Sequence, residues 1–131
     1  MKKPLLLTLA IITLTSLAYS QNRGGIIIYE KDGHGLVAAP TDLARMDWHS
    51  AKKACDDLKL NGFSDWHLPN QEELDQLVLK HLDGIGGFAE KYYWTNYIEI
   101  PGEAYKKHFA YLAWASGSMD EPANVRCIRT F

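Results

Sequence analysis

The residues of this chain that could do chemistry are a short run, "SDWHLP" at residues 64–69, and two cysteines, Cys55 and Cys127. An imidazole close to carboxylates could act as a general acid or base, and a free thiolate could act as a nucleophile or metal ligand. The five histidines are scattered without ligand spacing, and the sequence contains no HExxH, no CxxC and no Ser-His-Asp set. We therefore predict no catalytic residue, no cofactor and no metal site. The role of these groups then depends on the elements that hold them.

The first twenty residues have the pattern of a signal peptide. Lys2 and Lys3 precede an uncharged apolar run over residues 5–18, and Ala18-Tyr19-Ser20 fits a small-x-small cleavage site. The apolar run is shorter than the roughly 20 residues that a membrane-spanning helix needs. We predict a signal peptide at residues 1–20 and a single domain at residues 21–131. The mature protein is expected to be exported, either periplasmic or secreted, with no membrane insertion after cleavage.

Export gives the two cysteines a structural interpretation. An even pair of cysteines in an oxidising compartment most simply forms one disulfide, and Cys55 and Cys127 lie 72 positions apart. Closing a loop of that length stabilises the fold by about 4 kcal/mol in the chain-entropy account. A disulfide also leaves no free thiolate for catalysis or metal binding.

The charge balance excludes several classes of partner. The whole chain has a formal net charge of −2 at pH 7, and removal of Lys2 and Lys3 makes it more acidic. Nucleic acids, anionic membranes and polyanionic glycans all require a basic face. We therefore expect none of them as the partner.

Periodicity predicts a hairpin followed by a helix in the first half of the chain. The run "GGIIIYEKDGHGLVAA" at residues 24–39 is typical of two strands that turn at Asp32-Gly33. Helical spacing then follows, from an N-cap at Asp47 to a stop at Asn61-Gly62. The buried stripe predicted for this helix consists of Trp48, Ala51, Cys55 and Leu58.

A second helix follows directly after the run "SDWHLP". Asn70 and Glu73 have the spacing of a capping box, and Gly84 is a typical helix stop. The predicted buried stripe is Leu74, Leu77, Val78 and Leu82. The run itself then becomes the corner between the two helices.

Alternation within this corner predicts where its side chains point. Trp66 and Leu68 lie two positions apart on an extended link, so both can face the core. Asp65 and His67 alternate with these two residues, so their side chains are expected to point the other way, toward polar partners or solvent. The run is therefore interpreted as a structural corner and not as an active site.

The rest of the chain predicts a strand-rich half. Three segments, at residues 91–100, 104–117 and 124–131, are rich in aromatic and β-branched residues, and Pro101-Gly102 and Gly117-Ser118 are turn signals. We predict three strands, mainly antiparallel, and hence an α+β domain. Candidate ligand-binding residues are the polar and aromatic groups in this half: Asn96, Tyr97, Tyr105, Trp114 and Ser116. Aromatic side chains on strands also pack in cores, and core packing is the alternative interpretation for each of them.

Several of these motifs together resemble the bacterial DUF1566 family, also called the Lcl C-terminal domain. They are "GGIIIYEKDGHGLVAA", "DWHLPNQEEL", "YYWTN" and "VRCIRTF", and the resemblance extends from Gly24 to Phe131. It implies a C-type lectin-like fold, in which two helices pack on a small twisted, mainly antiparallel sheet. It also implies neighbouring N- and C-terminal strands and one disulfide that matches Cys55 and Cys127.

The sequence departs from the family pattern at one motif. The usual Asp-Trp-Arg-Leu-Pro has His67 in place of its arginine. The resemblance also suggests that Arg126 pairs with Asp65, because both are hallmark positions. A lectin-type calcium site is not expected, because Glu121-Pro122-Ala123-Asn124 is not followed by Trp-Asn-Asp and does not supply the six to eight oxygens that calcium needs.

These observations favour an exported, non-enzymatic binding module that recognises a glycan or a protein. One alternative is a small periplasmic inhibitor or a structural subunit of an envelope assembly. Another is an enzyme related to formylglycine-generating proteins, which share the lectin-like fold and depend on a pair of cysteines. A disulfide between Cys55 and Cys127 argues against this last alternative.

Overall fold

The computed structural model describes residues 23–131, so the predicted signal peptide lies outside the described residues. Two helices and eight strands follow one another along this part of the chain. In chain order they are β1 (Ile26–Lys31), β2 (His34–Ala38), β3 (Leu43–Met46), α1 (Trp48–Asp56), α2 (Gln71–Leu82), β4 (Tyr92–Ile100), β5 (Glu103–His108), β6 (Trp114–Ser118), β7 (Ala123–Val125) and β8 (Ile128–Thr130).

The strands form two sheets. The smaller sheet has the order β1-β2-β8, and the larger has the order β3-β7-β4-β5-β6. Every pairing is antiparallel except that of β4 with β7. The predicted α+β class with a mainly antiparallel sheet is confirmed, and the pairing of β2 with β8 brings the two ends of the domain together.

The first hairpin forms where the sequence predicts it. Asp32 and Gly33 both have positive φ, and Lys31 pairs with His34 across the turn. A two-residue turn of this kind requires positive φ at both positions, which suits Asp-Gly.

Helix α1 begins as predicted but ends earlier. The Asp47 carboxylate accepts a hydrogen bond from Ser50 N, and Trp48, Ala51 and Cys55 are buried. The helix ends at Asp56, so the predicted stop at Asn61-Gly62 is wrong. Those two residues have positive φ because they form a tight turn, in which Leu60 and Phe63 exchange backbone hydrogen bonds.

Helix α2 has the predicted capping box. The Asn70 side chain accepts a hydrogen bond from Glu73 N, and the Glu73 carboxylate accepts one from Asn70 N. Leu74, Leu77 and Val78 are buried, but Leu82 is 60% exposed, so its predicted burial is wrong. Leu82 is the last residue of the helix, where the sheet no longer covers the stripe.

The strand-rich half contains more breaks than the sequence predicts. The predicted strand over residues 104–117 is interrupted between His108 and Trp114, where Leu112 adopts positive φ. The last predicted strand splits at Arg126-Cys127, because β7 belongs to the larger sheet and β8 to the smaller one. The short strand β3 was not predicted; its pattern is too brief and too exposed to show alternation.

The predicted disulfide is present at this switch between sheets. Cys127 lies between β7 and β8 and is bonded to Cys55 of α1. Both half-cystines are fully buried, in a cluster that also contains Trp48, Trp66 and Trp94. The bond therefore joins the helical layer to the point where the two sheets meet.

Candidate functional site

The predicted corner residues have structural roles. Trp66 and Leu68 are buried, with 2% and 1% of their surface exposed, as alternation predicts. The Asp65 carboxylate accepts a hydrogen bond from Arg129 Nε at 2.7 Å, and the Arg129 guanidinium holds the pKa of Asp65 below its usual range. His67 Nε2 lies 3.6 Å from Glu73 Oε2. The run "SDWHLP" is thus a corner fixed by its neighbours on both sides.

The pairing predicted between Arg126 and Asp65 is wrong. Arg126 donates from Nε to Asp42 Oδ1 at 2.7 Å, and Arg129 is the partner of Asp65. Arg126 and Arg129 lie on opposite sides of the sheet switch at Cys127, so only Arg129 reaches the corner. The side chain of Arg126 points instead toward the glycine-rich loop that follows α2, where its Nη1 donates to Gly86 O.

Three of the predicted binding residues form a row of aromatic rings across neighbouring strands. The centres of Tyr97 and Tyr105 lie 5.2 Å apart, and those of Tyr105 and Trp114 lie 6.0 Å apart. They come from β4, β5 and β6 respectively, and Tyr97 is 44% exposed. We call Tyr97, Tyr105 and Trp114 the aromatic surface.

The two polar candidates flank this aromatic surface in different ways. Ser116 is exposed and lies directly opposite Tyr105 in the register of β5 and β6, so both side chains are on the same face of the sheet. Asn96 is exposed and precedes Tyr97 in the chain. Its backbone N–H donates a hydrogen bond to Pro69 O. The structure therefore groups four of the five candidates on one face, with Asn96 next to them at the irregular part of β4.

Charged groups missed by the sequence reasoning hold the aromatic surface in place. Lys107 Nζ lies 4.9 Å from the centre of the Trp114 ring and 2.6 Å from Asp75 Oδ1 on α2. The nearby Glu99 carboxylate raises the pKa of Tyr105 above its usual value. Lys107 could have been found from sequence, because it lies two positions from Tyr105 and so shares its strand face.

Residues 23–131 contain neither a cluster of metal-ligating side chains nor a free cysteine. Within residues 23–131, no three His, Cys, Asp or Glu side chains are grouped so that they could hold a metal ion. The two cysteines on which a formylglycine-type site would depend are bonded to each other. No helix in the described part of the chain is long and apolar enough to cross a membrane.

The fold and the family can now be stated. The two helices, the paired terminal strands and the disulfide define a C-type lectin-like domain, and the solved crystal structure of botrocetin is similar to it. That similarity has a TM-score of 0.55 at 11% sequence identity and covers 79% of this chain and 95% of botrocetin. The profile of the Lcl C-terminal domain matches residues 14–129, and the chain belongs to that family. Among curated proteins, no sequence matches this chain.

Proposed function

We propose that this protein is an exported, non-enzymatic binding module that recognises a glycan through the aromatic surface. The C-type lectin-like fold and the family indicate a binding role. The observation that carries the proposal is the row of three rings, Tyr97, Tyr105 and Trp114, spaced by 5.2 and 6.0 Å across three strands. Aromatic faces supply apolar contact area, and their edges and hydroxyls supply directional contacts.

Polar groups next to the rings support a glycan as the ligand. Glu99 and Ser116 flank Tyr105, and the exposed Asn96 precedes Tyr97 in β4. Small-molecule sites combine apolar walls with a few fixed polar groups that set orientation. The chain is acidic overall, which favours a neutral sugar over a polyanionic one.

Export is part of the proposal. A disulfide that links α1 to the segment between β7 and β8 fits an oxidising compartment such as the periplasm or the cell exterior. The predicted signal peptide at residues 1–20 is the second reason. The ligand is therefore sought in the cell envelope or outside it.

The proposal predicts that removal of one ring weakens glycan binding. We expect Trp114→Ala and Tyr105→Ala each to lower the affinity for neutral glycans on an array by about tenfold or more, since anchoring aromatic residues carry much of the binding free energy. Tyr29→Ala is the matched control, because Tyr29 is a similarly exposed aromatic residue, at 47%, on the other sheet.

The same variants separate a glycan ligand from a protein ligand. A blank array combined with an envelope protein captured by the wild type, and lost with Trp114→Ala, would identify a protein partner and favour an inhibitory or structural role. Equal binding by Trp114→Ala and Tyr29→Ala in both assays would contradict the aromatic surface as the site.

A further inference from the structure

A cavity of about 270 Å³ opens on the other face of the larger sheet. Lys106 and His108 line it, and they alternate along β5 with Tyr105 and Lys107 of the aromatic face, so they point to the opposite side. The cavity is also lined by Arg45, Lys91, Tyr92 and Glu121. This cavity is therefore separate from the aromatic surface.

The wall of the cavity carries more positive than negative charge. Arg45, Lys91 and Lys106 form no salt bridge with any carboxylate among residues 23–131, whereas Lys52, Lys53, Lys107, Arg126 and Arg129 each have an Asp within 2.8 Å. Lys31, Lys59 and Lys80 are also without a salt bridge in this part of the chain, but they do not line the cavity. Glu121 is the one carboxylate in the wall. Three cations against one anion give the wall a charge of +2, in a chain whose net charge is −2.

Two of the groups in the wall are held in place. Lys106 Nζ lies 4.7 Å from the centre of the Tyr92 ring and 5.6 Å from that of Trp94. His108 Nδ1 accepts hydrogen bonds from Ala110 N at 3.1 Å and from Tyr111 N at 3.2 Å. Two donors at Nδ1 require the neutral ring to carry its proton on Nε2, which leaves Nε2–H as the donor that the ring can offer to a ligand.

Aromatic contacts hold the His108 ring in the wall. The Tyr92 ring, which lines the cavity, is perpendicular to the His108 ring with the two centres 4.8 Å apart, and the Tyr111 ring stacks on His108 with the centres 4.2 Å apart. A ligand that enters the cavity therefore meets cations and an N–H donor beside the ring of Tyr92. A volume of about 270 Å³ lies below the range of roughly 300–1,000 Å³ that is usual for drug-sized ligands, so the ligand is a small molecule.

We infer that this cavity binds a small organic acid, with its oxyanion at Lys91, Lys106 and His108 and its body against Tyr92. The oxyanion is a carboxylate or a phosphate, because both combine negative charge with several hydrogen-bond acceptors. A long polyanion is disfavoured by Glu121 in the wall and by the acidic charge of the rest of the chain. This second site goes beyond the glycan binding proposed for the aromatic surface.

The test is an NMR titration of the isotope-labelled mature protein with matched pairs of probes. Benzoate is compared with benzyl alcohol, and phenyl phosphate with phenol, so that each pair differs chiefly in its charged group. We expect an acid, and not its neutral partner, to shift the amide resonances of Tyr92, Lys106 and His108, with binding that weakens as salt is added. The acid that binds more tightly identifies the oxyanion.

Variants decide whether the wall cations are responsible. Lys91→Met and Lys106→Met are each expected to weaken binding of the acid about tenfold. Lys31→Met, at an exposed lysine in the turn of the first hairpin, and Trp114→Ala, in the aromatic surface, are expected to leave it unchanged. Lys91 is exposed, so its replacement tests the site even if Lys106→Met lowers the melting temperature.

The inference would be overturned by equal shifts with the charged and neutral probes, by shifts centred away from the cavity, or by an effect of Lys31→Met as large as that of Lys91→Met. Loss of acid binding in Trp114→Ala would show that the acid occupies the aromatic surface instead. If the protein binds the acid but no glycan, the proposed glycan binding is contradicted and the acid site is still supported.

Discussion

Arg126 is the residue with the most buried charge in the described part of the chain. Its side chain is 1% exposed and pairs with Asp42, and Nη1 also donates to Ala39 O at 3.1 Å and to Gly86 O at 2.8 Å. Asp42 accepts a further hydrogen bond from the Tyr93 hydroxyl at 2.6 Å. Burial raises the pKa of Tyr93 to about 12, with the hydrogen bond to Asp42 as the second cause. The pair is thus the centre of a hydrogen-bonded network and not an isolated ion pair.

Replacement of Arg126 is therefore expected to cost far more stability than replacement at the neighbouring pair. Arg126→Met should lower the free energy of unfolding by about 3 to 5 kcal/mol, because it leaves the Asp42 carboxylate without its counter-ion and the carbonyl groups of Ala39, Gly86 and Gly87 without their donor. Asp65→Asn should cost less, because the Asp65 carboxylate is 57% exposed and the asparagine oxygen can still accept a hydrogen bond from Arg129. Urea denaturation measures both changes, and similar values for the two variants would contradict the distinction.

The network shows which residue contacts can be predicted from sequence. Burial of Trp66 and Leu68 follows from alternation along six residues, and the structure confirms it. The partner of Arg126 lies 84 positions away, and no local pattern links it to Asp42. The family resemblance suggested Asp65 because both residues are hallmark positions, but the chain turns at Cys127 so that Arg129, and not Arg126, reaches the Asp65 carboxylate.

At the level of elements, the start of α2 is the best-predicted part of the corner between the two helices. The capping box at Asn70 and Glu73 depends on residues three positions apart, so the sequence contains all of the information. His67 joins this corner because its ring lies beside the same Glu73 carboxylate that caps the helix. The neighbouring Glu73 carboxylate is the largest cause that raises the pKa of His67 above 6.5, and partial burial opposes it.

This contact predicts a dependence on pH. A raised pKa in the folded state means that protonated His67 contributes stability below pH about 6.5, and the contribution is lost as pH rises through the folded-state pKa. We expect Glu73→Gln to lower the pKa of His67, measured by NMR titration of the imidazole. Glu72→Gln, one residue away and exposed, is the control and should leave that pKa unchanged. An unaltered pKa in Glu73→Gln would assign the shift to another group.

For the molecule as a whole, the strand order is what sequence reasoning could not supply. Strand β7 lies between β3 and β4 and is parallel to β4, although the chain reaches it only after β5 and β6. Such pairings join segments far apart in sequence, and three-residue strands such as β7 and β8 are too short to show a period. The aromatic surface was found as residues but not as a surface, because its rings meet only when β4, β5 and β6 are placed side by side.

The disulfide is expected to hold this arrangement together, because Cys127 lies where the chain passes from the larger sheet to the smaller one. The bond closes a loop of 72 residues, so its loss should lower the free energy of unfolding by about 4 kcal/mol. For a domain of this size that corresponds to a fall of roughly 15 to 30 °C in melting temperature. The proposed export predicts that the intact mass of the mature protein corresponds to a chain that begins at Gln21 and carries two hydrogens fewer than its reduced form. Reduction followed by alkylation should produce the thermal shift, whereas alkylation without reduction should change neither mass nor melting temperature. Two free thiols in the exported protein would remove the covalent link between helix and sheets and reopen a thiol-dependent enzyme as the function.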